Sequence, residues 1–138
     1  MPLIAWKQEF VLGVEEIDEQ HKRILSTINK MYSLFDSKRH EQKREIDQII
    51  KELNDYAIYH FETEEKYFKL FGYEQAEEHV GVHNQYRQKI EEWTKRYNEN
   101  EDKKIFFEMS NFLESWWTWH INHTDRAYIP FMKANGVK

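Results

Sequence analysis

The stretch IDQIIKELNDYAIYHFETEEKYF, residues 46–68, decides the fold of this chain. Apolar side chains recur in it at steps of three and four, a spacing that places them along one face of an α-helix. The stripe comprises Ile46, Ile49, Leu53, Tyr56, His60 and Glu64. The segment therefore predicts a long amphipathic helix, from about Glu41 to about Leu70, whose inner face ends in a histidine and a glutamate.

Three further segments have the same helical period. Their predicted extents are Asp18 to Phe35, Glu74 to Tyr97, and a last helix through Phe106 and His120 that ends between Asp125 and Pro130. Asp18 is a plausible N-cap for the first of them, and Gly72 is a natural stop after the helix that contains residues 46–68. The sequence thus predicts four helices of about 20–30 residues, joined by short polar breaks.

Composition favours long helices over a β-sheet fold. The 138 residues include only four Gly and two Pro, whereas sandwiches and barrels need many turns. We therefore predict an all-α fold, an up-down-up-down four-helix bundle with an N-terminal arm. The expected organisation is a single domain over residues 1–138, with the arm at 1–17, the bundle at 18–128 and a C-terminal tail at 129–138.

Charge and composition argue against several classes of function. Lys and Arg total 20 against 25 Asp and Glu, a formal charge of −5, and nucleic-acid binding needs clustered basic residues. The absence of Cys excludes disulfides, thiolate-bound zinc and iron–sulfur clusters. Apolar runs are shorter than the roughly 20 residues of a membrane span, and the N-terminus lacks a signal-peptide pattern. We expect a cytoplasmic protein, without membrane insertion, and a monomer.

Five histidines and one glutamate lie on helix faces that should be apolar. Burying a lone ionised carboxylate is costly unless it is paired or bound to a metal. In an antiparallel bundle, the starts of the first and third helices neighbour the ends of the second and fourth. The six residues all fall at those ends: His21, His60, Glu64, His79, His83 and His120. Independent core histidines have no reason to converge in this way, so the set predicts a metal site.

The positions of the other two histidines in the predicted bundle differ. His40 falls at the opposite end of the bundle, in or beside the break between the first two helices, and is predicted to be exposed. His123 follows His120 at the correct end, so His123 and Asp125 are alternative ligands at this point. Imidazole and carboxylate without thiolate suit iron, zinc, manganese or copper. The number of candidate ligands is too large for one metal and suits two metals bridged by carboxylates.

These residues resemble the hemerythrin family, in its single-domain bacterial form, over nearly the whole chain. The resemblance rests on Trp6…Gly13…Asp18-x-x-His21-Lys22, His60-Phe61-x-x-Glu64-Glu65, Gly72-Tyr73 followed by His79-x-x-x-His83, and Trp116-x-x-x-His120-Ile121-x-x-x-Asp125-x-x-Tyr128. Each motif alone is weak, but their order and spacing together are specific.

The resemblance implies a non-haem di-iron centre that binds dioxygen, with azide and similar anions as analogues. It assigns His79, His83 and His120 to one iron, and His21 and His60 to the other. Glu64 and Asp125 would bridge the two irons together with an oxo or hydroxo group. By this ligand count the second iron keeps an open position beside its two histidines, where dioxygen is expected.

The resemblance also selects Asp125 over His123 as the ligand from the fourth helix. Helical geometry alone does not make this choice, because Asp125 lies about 140° around a regular α-helix from His120. Asp125 can reach the site only if the helix end is distorted or the side chain reaches across it.

Apolar residues are expected to surround the oxygen position and to limit the access of water. The candidates for this pocket are Phe61, Trp116, Trp117 and Ile121. The family that the chain resembles commonly has Leu at the position of Trp117. An indole fills more space and carries an N–H that needs a partner when buried, so the sequence predicts a tighter pocket.

The predicted function is reversible dioxygen binding for carriage, storage or delivery, without enzymatic activity. The alternatives are an oxygen or redox sensor, and a di-iron enzyme acting on peroxide or nitric oxide. A chain of 138 residues is expected to have no room for a fused output domain, which counts against a fused sensor. The His-rich ligand set and the absence of a Glu-x-x-His motif count against ferroxidase activity.

Overall fold

The computed structural model describes residues 4–36 and 43–138, which form helices joined by short turns. Within these ranges the helices are α1 (Glu15–Asp36), α2 (Lys43–Phe71), α3 (Ala76–Asn100), α4 (Lys103–Trp119) and α5 (Ile129–Ala134). A 3₁₀ turn at Gln8–Phe10 precedes α1. A π-helical segment, His120–Asp125, and a 3₁₀ turn, Arg126–Tyr128, connect α4 to α5.

The four long helices, α1 to α4, pack as a bundle in chain order. α1 lies against α2 and α4, and α3 lies against the same two helices, so α1 and α3 occupy diagonal corners. Short connections, such as 72–75 and 101–102, make consecutive helices antiparallel neighbours. The prediction of an all-α four-helix bundle is confirmed. No helix within the described ranges is both long enough and apolar enough to cross a membrane.

The first helix begins earlier than predicted. α1 starts at Glu15, so Asp18 lies in its first turn and is not the N-cap. The Asp18 carboxylate instead reaches back and accepts hydrogen bonds from the backbone N–H groups of Leu12 (2.9 Å) and Gly13 (3.1 Å). It therefore stabilises the turn that precedes the helix, where Gly13 has a φ of 95° that favours glycine.

The ends of α2 and α3 follow local sequence signals. Gly72 has a positive φ of 71° and ends α2 as predicted. α3 continues past its predicted end at Tyr97 as far as Asn100. The turn to α4 is consequently only two residues long, and the carboxylate of Asp102 caps the new helix by accepting a hydrogen bond from the N–H of Lys104 (2.9 Å).

The segment predicted as a C-terminal tail contains a helix. Pro130 lies in the first turn of α5, where its missing N–H loses no helical hydrogen bond. α5 is held by a second apolar cluster that also contains parts of the arm, α1 and α2. The buried members of this cluster are Leu12, Val14, Ile17, Phe68, Tyr128, Ile129 and Met132. Periodicity did not identify α5 because so short a helix offers too few positions to establish a stripe.

Replacing Asp18 by alanine is expected to lower the free energy of unfolding by about 2 kcal/mol, because two backbone N–H groups lose their acceptor. Chemical denaturation of the metal-free protein measures this loss. Glu19 is a matched control, since its ion pair with Lys22 (3.3 Å) is exposed. Glu19→Ala should change stability by less than about 0.5 kcal/mol. Equal losses in the two variants would contradict the role assigned to Asp18.

Candidate metal centre

Seven predicted side chains meet at the end of the bundle where α5 packs. α1 contributes His21, α2 contributes His60 and Glu64, α3 contributes His79 and His83, and the π-helical segment contributes His120 and Asp125. All seven are buried, and the most exposed of them, His79, is only 5% exposed. Within the described part of the chain, their nitrogen and oxygen atoms form two groups, in each of which the atoms lie within 4.8 Å of one another.

The first group, which we call position A, comprises Glu64, His79, His83 and His120. Glu64 Oε1 lies 3.0 Å from His83 Nε2 and 3.6 Å from His79 Nε2. The two histidines project from the same face of α3 because they are four residues apart, and their ring centroids are separated by 4.7 Å. The ring of His120 lies 5.5 Å from that of His79. Position A therefore has three imidazoles around one carboxylate.

The second group, position B, comprises His21, His60 and Asp125. His21 Nε2 lies 2.7 Å from Asp125 Oδ2, and His60 Nε2 lies 3.2 Å from the same oxygen. The Nε2 atoms of the two histidines are also 3.2 Å apart. Position B thus has one imidazole fewer than position A.

Both carboxylates lie between the two positions. Asp125 Oδ2 faces the histidines of position B, whereas its Oδ1 lies 2.8 Å from His120 Nε2 and 3.1 Å from His79 Nε2, both in position A. Glu64 Oε1, close to His83, is also only 3.5 Å from His60 Nε2 in position B. Each carboxylate can therefore contact both positions at once.

The π-helical segment accounts for the orientation of Asp125. In a regular α-helix its side chain would point about 140° away from that of His120. The backbone from His120 to Asp125 is instead π-helical, a conformation in which residue i+5 lies over residue i. The widened turn brings the Asp125 carboxylate onto the same side of the helix as the His120 ring. This is the distortion of the helix end that Asp125 needs in order to reach the site.

His123 lies outside the cluster. Its exposed ring stacks on Trp119 with centroids 3.6 Å apart, and its Nδ1 is 3.1 Å from the Trp119 carbonyl oxygen. Of the two alternatives for the fourth helix, Asp125 is thus the one that lies among the other candidate ligands. His40 lies outside the described residues.

Several buried polar atoms in the cluster have no hydrogen-bond partner among the residues that the structure describes, an arrangement that fits bound cations. They include Nε2 of His79, His83 and His120, both carboxylate oxygens of Glu64, and Oδ1 of Asp125. Some are as close as 2.8 Å, yet they are not aligned to bond to one another. Leaving such groups unpaired costs about 1–3 kcal/mol each, and coordination removes that cost. The donors are nitrogen and oxygen without sulfur, which suits iron, zinc, manganese or copper.

The charges in the cluster favour ionised carboxylates. Burial raises the pKa values of Glu64 and Asp125, but the surrounding imidazoles outweigh it and hold both values below their ordinary range. Burial lowers the pKa of His79, yet its contacts with these two carboxylates raise it overall to about 9. For His21 burial is the larger effect and its pKa is lowered. Ionised carboxylates are the form that binds metal.

Two residues to which the sequence analysis assigned no role contact the histidines from outside the cluster. Gln20 Oε1 lies 2.7 Å from His60 Nδ1, and Glu65 Oε2 lies 2.9 Å from His83 Nδ1. Both contacts leave the Nε2 atom of the ring directed into the cluster. Each residue is adjacent in sequence to a candidate ligand, and Glu65 also belongs to a motif that carries the family resemblance. Neither signal reveals which helix the side chain will meet.

Tyr128 is a further polar residue beside the cluster. Its side chain is fully buried, and its ring lies 5.5 Å from that of His79. Burial, and secondly the negative charge of Asp125, raise the pKa of Tyr128 well above its usual value. The phenol is therefore neutral and keeps its proton close to the two carboxylates.

Aromatic rings cover position A on the side of the main core. Phe61 is fully buried and stacks on His83 with centroids 3.8 Å apart. Trp116 is half-buried and stacks on His120 at 4.3 Å. These rings separate the candidate ligands from solvent, so the cluster lies in an environment of low polarity.

Trp117 borders both positions. Its fully buried ring lies 5.8 Å from that of His60 in position B and 5.8 Å from that of His120 in position A, and the buried side chain of Ile121 follows it one turn later. The indole N–H donates a hydrogen bond to the hydroxyl oxygen of Tyr86 (3.2 Å). The partner that a buried indole requires is thus supplied by α3.

Comparisons with known proteins find related sequences over most of the chain. The model of the family described as "Hemerythrin HHE cation binding domain" matches residues 12–132. Three curated relatives named Bacteriohemerythrin come from Clostridium acetobutylicum, Stenotrophomonas maltophilia and Methylococcus capsulatus. They are 34%, 30% and 27% identical to this chain over 92%, 98% and 97% of its length. The alignments cover 99%, 85% and 100% of those proteins, respectively.

Proposed function

Since the chain belongs to the hemerythrin family, we propose that it binds dioxygen reversibly at a pair of non-haem iron ions. The proposed ligands are His79, His83 and His120 at position A, and His21 and His60 at position B. Glu64 and Asp125, with an oxo or hydroxo group, are proposed to bridge the two irons. The iron pair, when bound, supplies the electrons that hold dioxygen.

One observation carries the proposal: the two oxygens of the Asp125 carboxylate face different groups of histidines. Oδ1 is 2.8 Å from His120 in position A, and Oδ2 is 2.7 Å from His21 in position B. A carboxylate serving one metal has no need for this orientation. Two positions joined by carboxylates are what a di-iron centre requires, and the donor set suits iron.

The unequal number of imidazoles gives each position a different proposed role. Position A, with three, has a full set of protein ligands when both carboxylates bind. Position B, with two, is left with room for an external ligand, and dioxygen is proposed to bind there. The fully buried ring of Trp117 beside His60 is proposed to keep water away from this ligand.

We favour binding without catalysis over the alternatives. Phe61, Trp117 and Ile121 surround the cluster with apolar side chains and are fully buried. Proton transfer during turnover needs a titratable group at the ligand position, whereas an apolar wall favours the release of dioxygen unchanged. The phenol of Tyr128 lies beside His79 in position A, and not beside the proposed ligand position. Oxygen carriage, storage or delivery is therefore proposed. The competing functions are an oxygen or redox sensor and a di-iron enzyme acting on peroxide or nitric oxide.

Loading the metal-free protein with ferrous iron under anaerobic conditions is expected to give two irons per chain. Exposure to oxygen should then produce a visible absorption band that disappears when oxygen is removed. Metal analysis and absorption spectroscopy measure the two results. A plateau at one metal per chain, a preference for a single zinc ion, or a band that does not reverse would overturn the proposal.

A further inference from the structure

One histidine in each metal position has a hydrogen-bond acceptor behind its ring, and the two acceptors differ in charge. His60, in position B, has its Nδ1 2.7 Å from the amide oxygen of Gln20. His83, in position A, has its Nδ1 2.9 Å from a carboxylate oxygen of Glu65. A neutral acceptor therefore stands behind one ring and an anionic acceptor behind the other.

The amide of Gln20 is fixed in its orientation. Gln20 is only 3% exposed, and its Nε2 donates a hydrogen bond to Thr63 Oγ1 (3.1 Å). The Thr63 hydroxyl in turn donates to the Tyr59 carbonyl oxygen (3.0 Å), so it can only accept from the amide. The amide oxygen of Gln20 must consequently face His60 and cannot exchange places with the nitrogen.

Glu65 is held in place by a cation. Its side chain is 30% exposed, and Arg87 Nη2 lies 4.0 Å from the carboxylate oxygen that contacts His83. Arg87 is itself oriented by a hydrogen bond from Nη1 to Asn84 Oδ1 (2.9 Å). The Glu65 carboxylate is thereby kept at the Nδ1 edge of the His83 ring, whereas Glu64 Oε1 lies 3.0 Å from its Nε2.

We propose that Glu65 and Gln20 are positioning residues that make the two metal positions unequal, so that position A takes up metal before position B. This inference rests on the proposed two-metal function. An anionic acceptor polarises the Nδ1–H bond of His83 and makes its Nε2 a stronger donor to a metal, and a neutral amide does so less. This difference in donor strength acts in the same direction as the one extra imidazole of position A, which also favours metal binding there.

The order of loading has a consequence for the bound ligand. Position B, where dioxygen is proposed to bind, is the last to fill and the first to empty. Partial loss of metal then removes the ligand position while position A retains its ion. The acceptors Gln20 and Glu65 therefore influence how readily the centre loses its ligand position when metal dissociates.

Titration of the metal-free protein with Co²⁺, followed calorimetrically at constant pH, tests this order without dioxygen. The wild-type protein is expected to take up two ions in two resolved steps. Glu65→Gln keeps an acceptor for His83 but removes its charge, and should weaken the first step about tenfold while leaving the second unchanged. Gln20→Glu should strengthen the second step and leave the first unchanged.

A charge-matched control and a swap variant complete the test. Glu62 is exposed on the same helix, so Glu62→Gln removes the same charge and should alter neither step. Gln20→Glu combined with Glu65→Gln should bring the two affinities closer together, and the extra imidazole of position A should account for the difference that remains. An unchanged melting temperature of metal-free Glu65→Gln, together with its weaker first step, would support an effect on ligand strength.

The results that overturn the inference differ from those that overturn the proposed function. If the wild-type protein binds two Co²⁺ ions, but Glu65→Gln behaves like Glu62→Gln, the role of Glu65 is wrong and the two-metal site stands. If Glu65→Gln weakens both steps equally, the inference is also wrong, because the effect is not confined to position A. Binding of fewer than two ions by the wild-type protein contradicts the proposed function itself.

Discussion

Asp125→Ala is expected to lose at least one of the two irons and the oxygen-dependent absorption band. The carboxylate contacts His21 at 2.7 Å through one oxygen and His120 at 2.8 Å through the other. Its removal takes a proposed ligand from both positions at once. Since loss of a group that only supports a ligand reduces metal affinity 10–100-fold, loss of a bridging ligand should weaken position B by more than about 100-fold. Iron analysis after anaerobic loading measures the loss.

His123→Ala is the matched control for this variant. His123 lies two residues from Asp125 in the same π-helical segment, but its ring stacks on Trp119 at the surface. The variant should retain two irons and the same absorption band. If His123→Ala lost iron and Asp125→Ala kept it, the ligand assignment in the π-helical segment would be wrong.

The positions of most candidate site residues follow from helical periodicity and topology. His60 and Glu64 continue the apolar stripe of α2 at a spacing of four, so their side of the helix is predictable. Short polar breaks predict antiparallel neighbours, which brings those residues to the same end of the bundle as His79 and His83. The fold and the convergence at one end could therefore be predicted from the sequence alone.

The orientation of Asp125 could not be predicted in the same way. Periodicity assumes a regular α-helix, in which Asp125 and His120 point in different directions. The π-helical segment changes that angle, and nothing in the sequence from His120 to Asp125 identifies it, because a single π-helical turn is too short to have a periodicity of its own. From the sequence, only the resemblance to a known family identifies Asp125 as a ligand.

Contacts of polar side chains that lie beside the apolar stripes could not be predicted from the sequence either. Asp18 has the chemistry of an N-cap, but its partners are backbone N–H groups before the helix, and helix boundaries shift by a turn without changing the stripe. Gln20 and Glu65 lie beside candidate ligands in the sequence, yet their partners, His60 and His83, are on other helices. Such contacts depend on how helices are rotated against one another, which the apolar stripe defines only approximately.

Trp117→Leu is expected to speed azide binding to the oxidised iron-loaded protein severalfold and to hasten its autoxidation. The indole lies 5.8 Å from the His60 ring in position B, and leucine leaves space there for water and small anions. The same change removes the hydrogen bond from Trp117 to Tyr86 and part of the packing, which should lower the free energy of unfolding by about 2–3 kcal/mol. Stopped-flow absorption and thermal unfolding measure the two effects separately.

Phe106→Leu is the control that distinguishes easier access to the pocket from a general loss of packing. Phe106 is also fully buried in α4, but it precedes Trp117 by 11 residues, or about 16 Å along the helix, and packs against Tyr97 at the other end of the core. The Phe106→Leu variant should lose about as much free energy of unfolding as Trp117→Leu, but it should bind azide at the wild-type rate. If both variants changed the azide rate in proportion to their loss of stability, faster binding would reflect general loosening of the bundle. An unchanged rate in Trp117→Leu would rule out any gating role, because leucine at this position leaves more room beside position B whatever happens to the rest of the core.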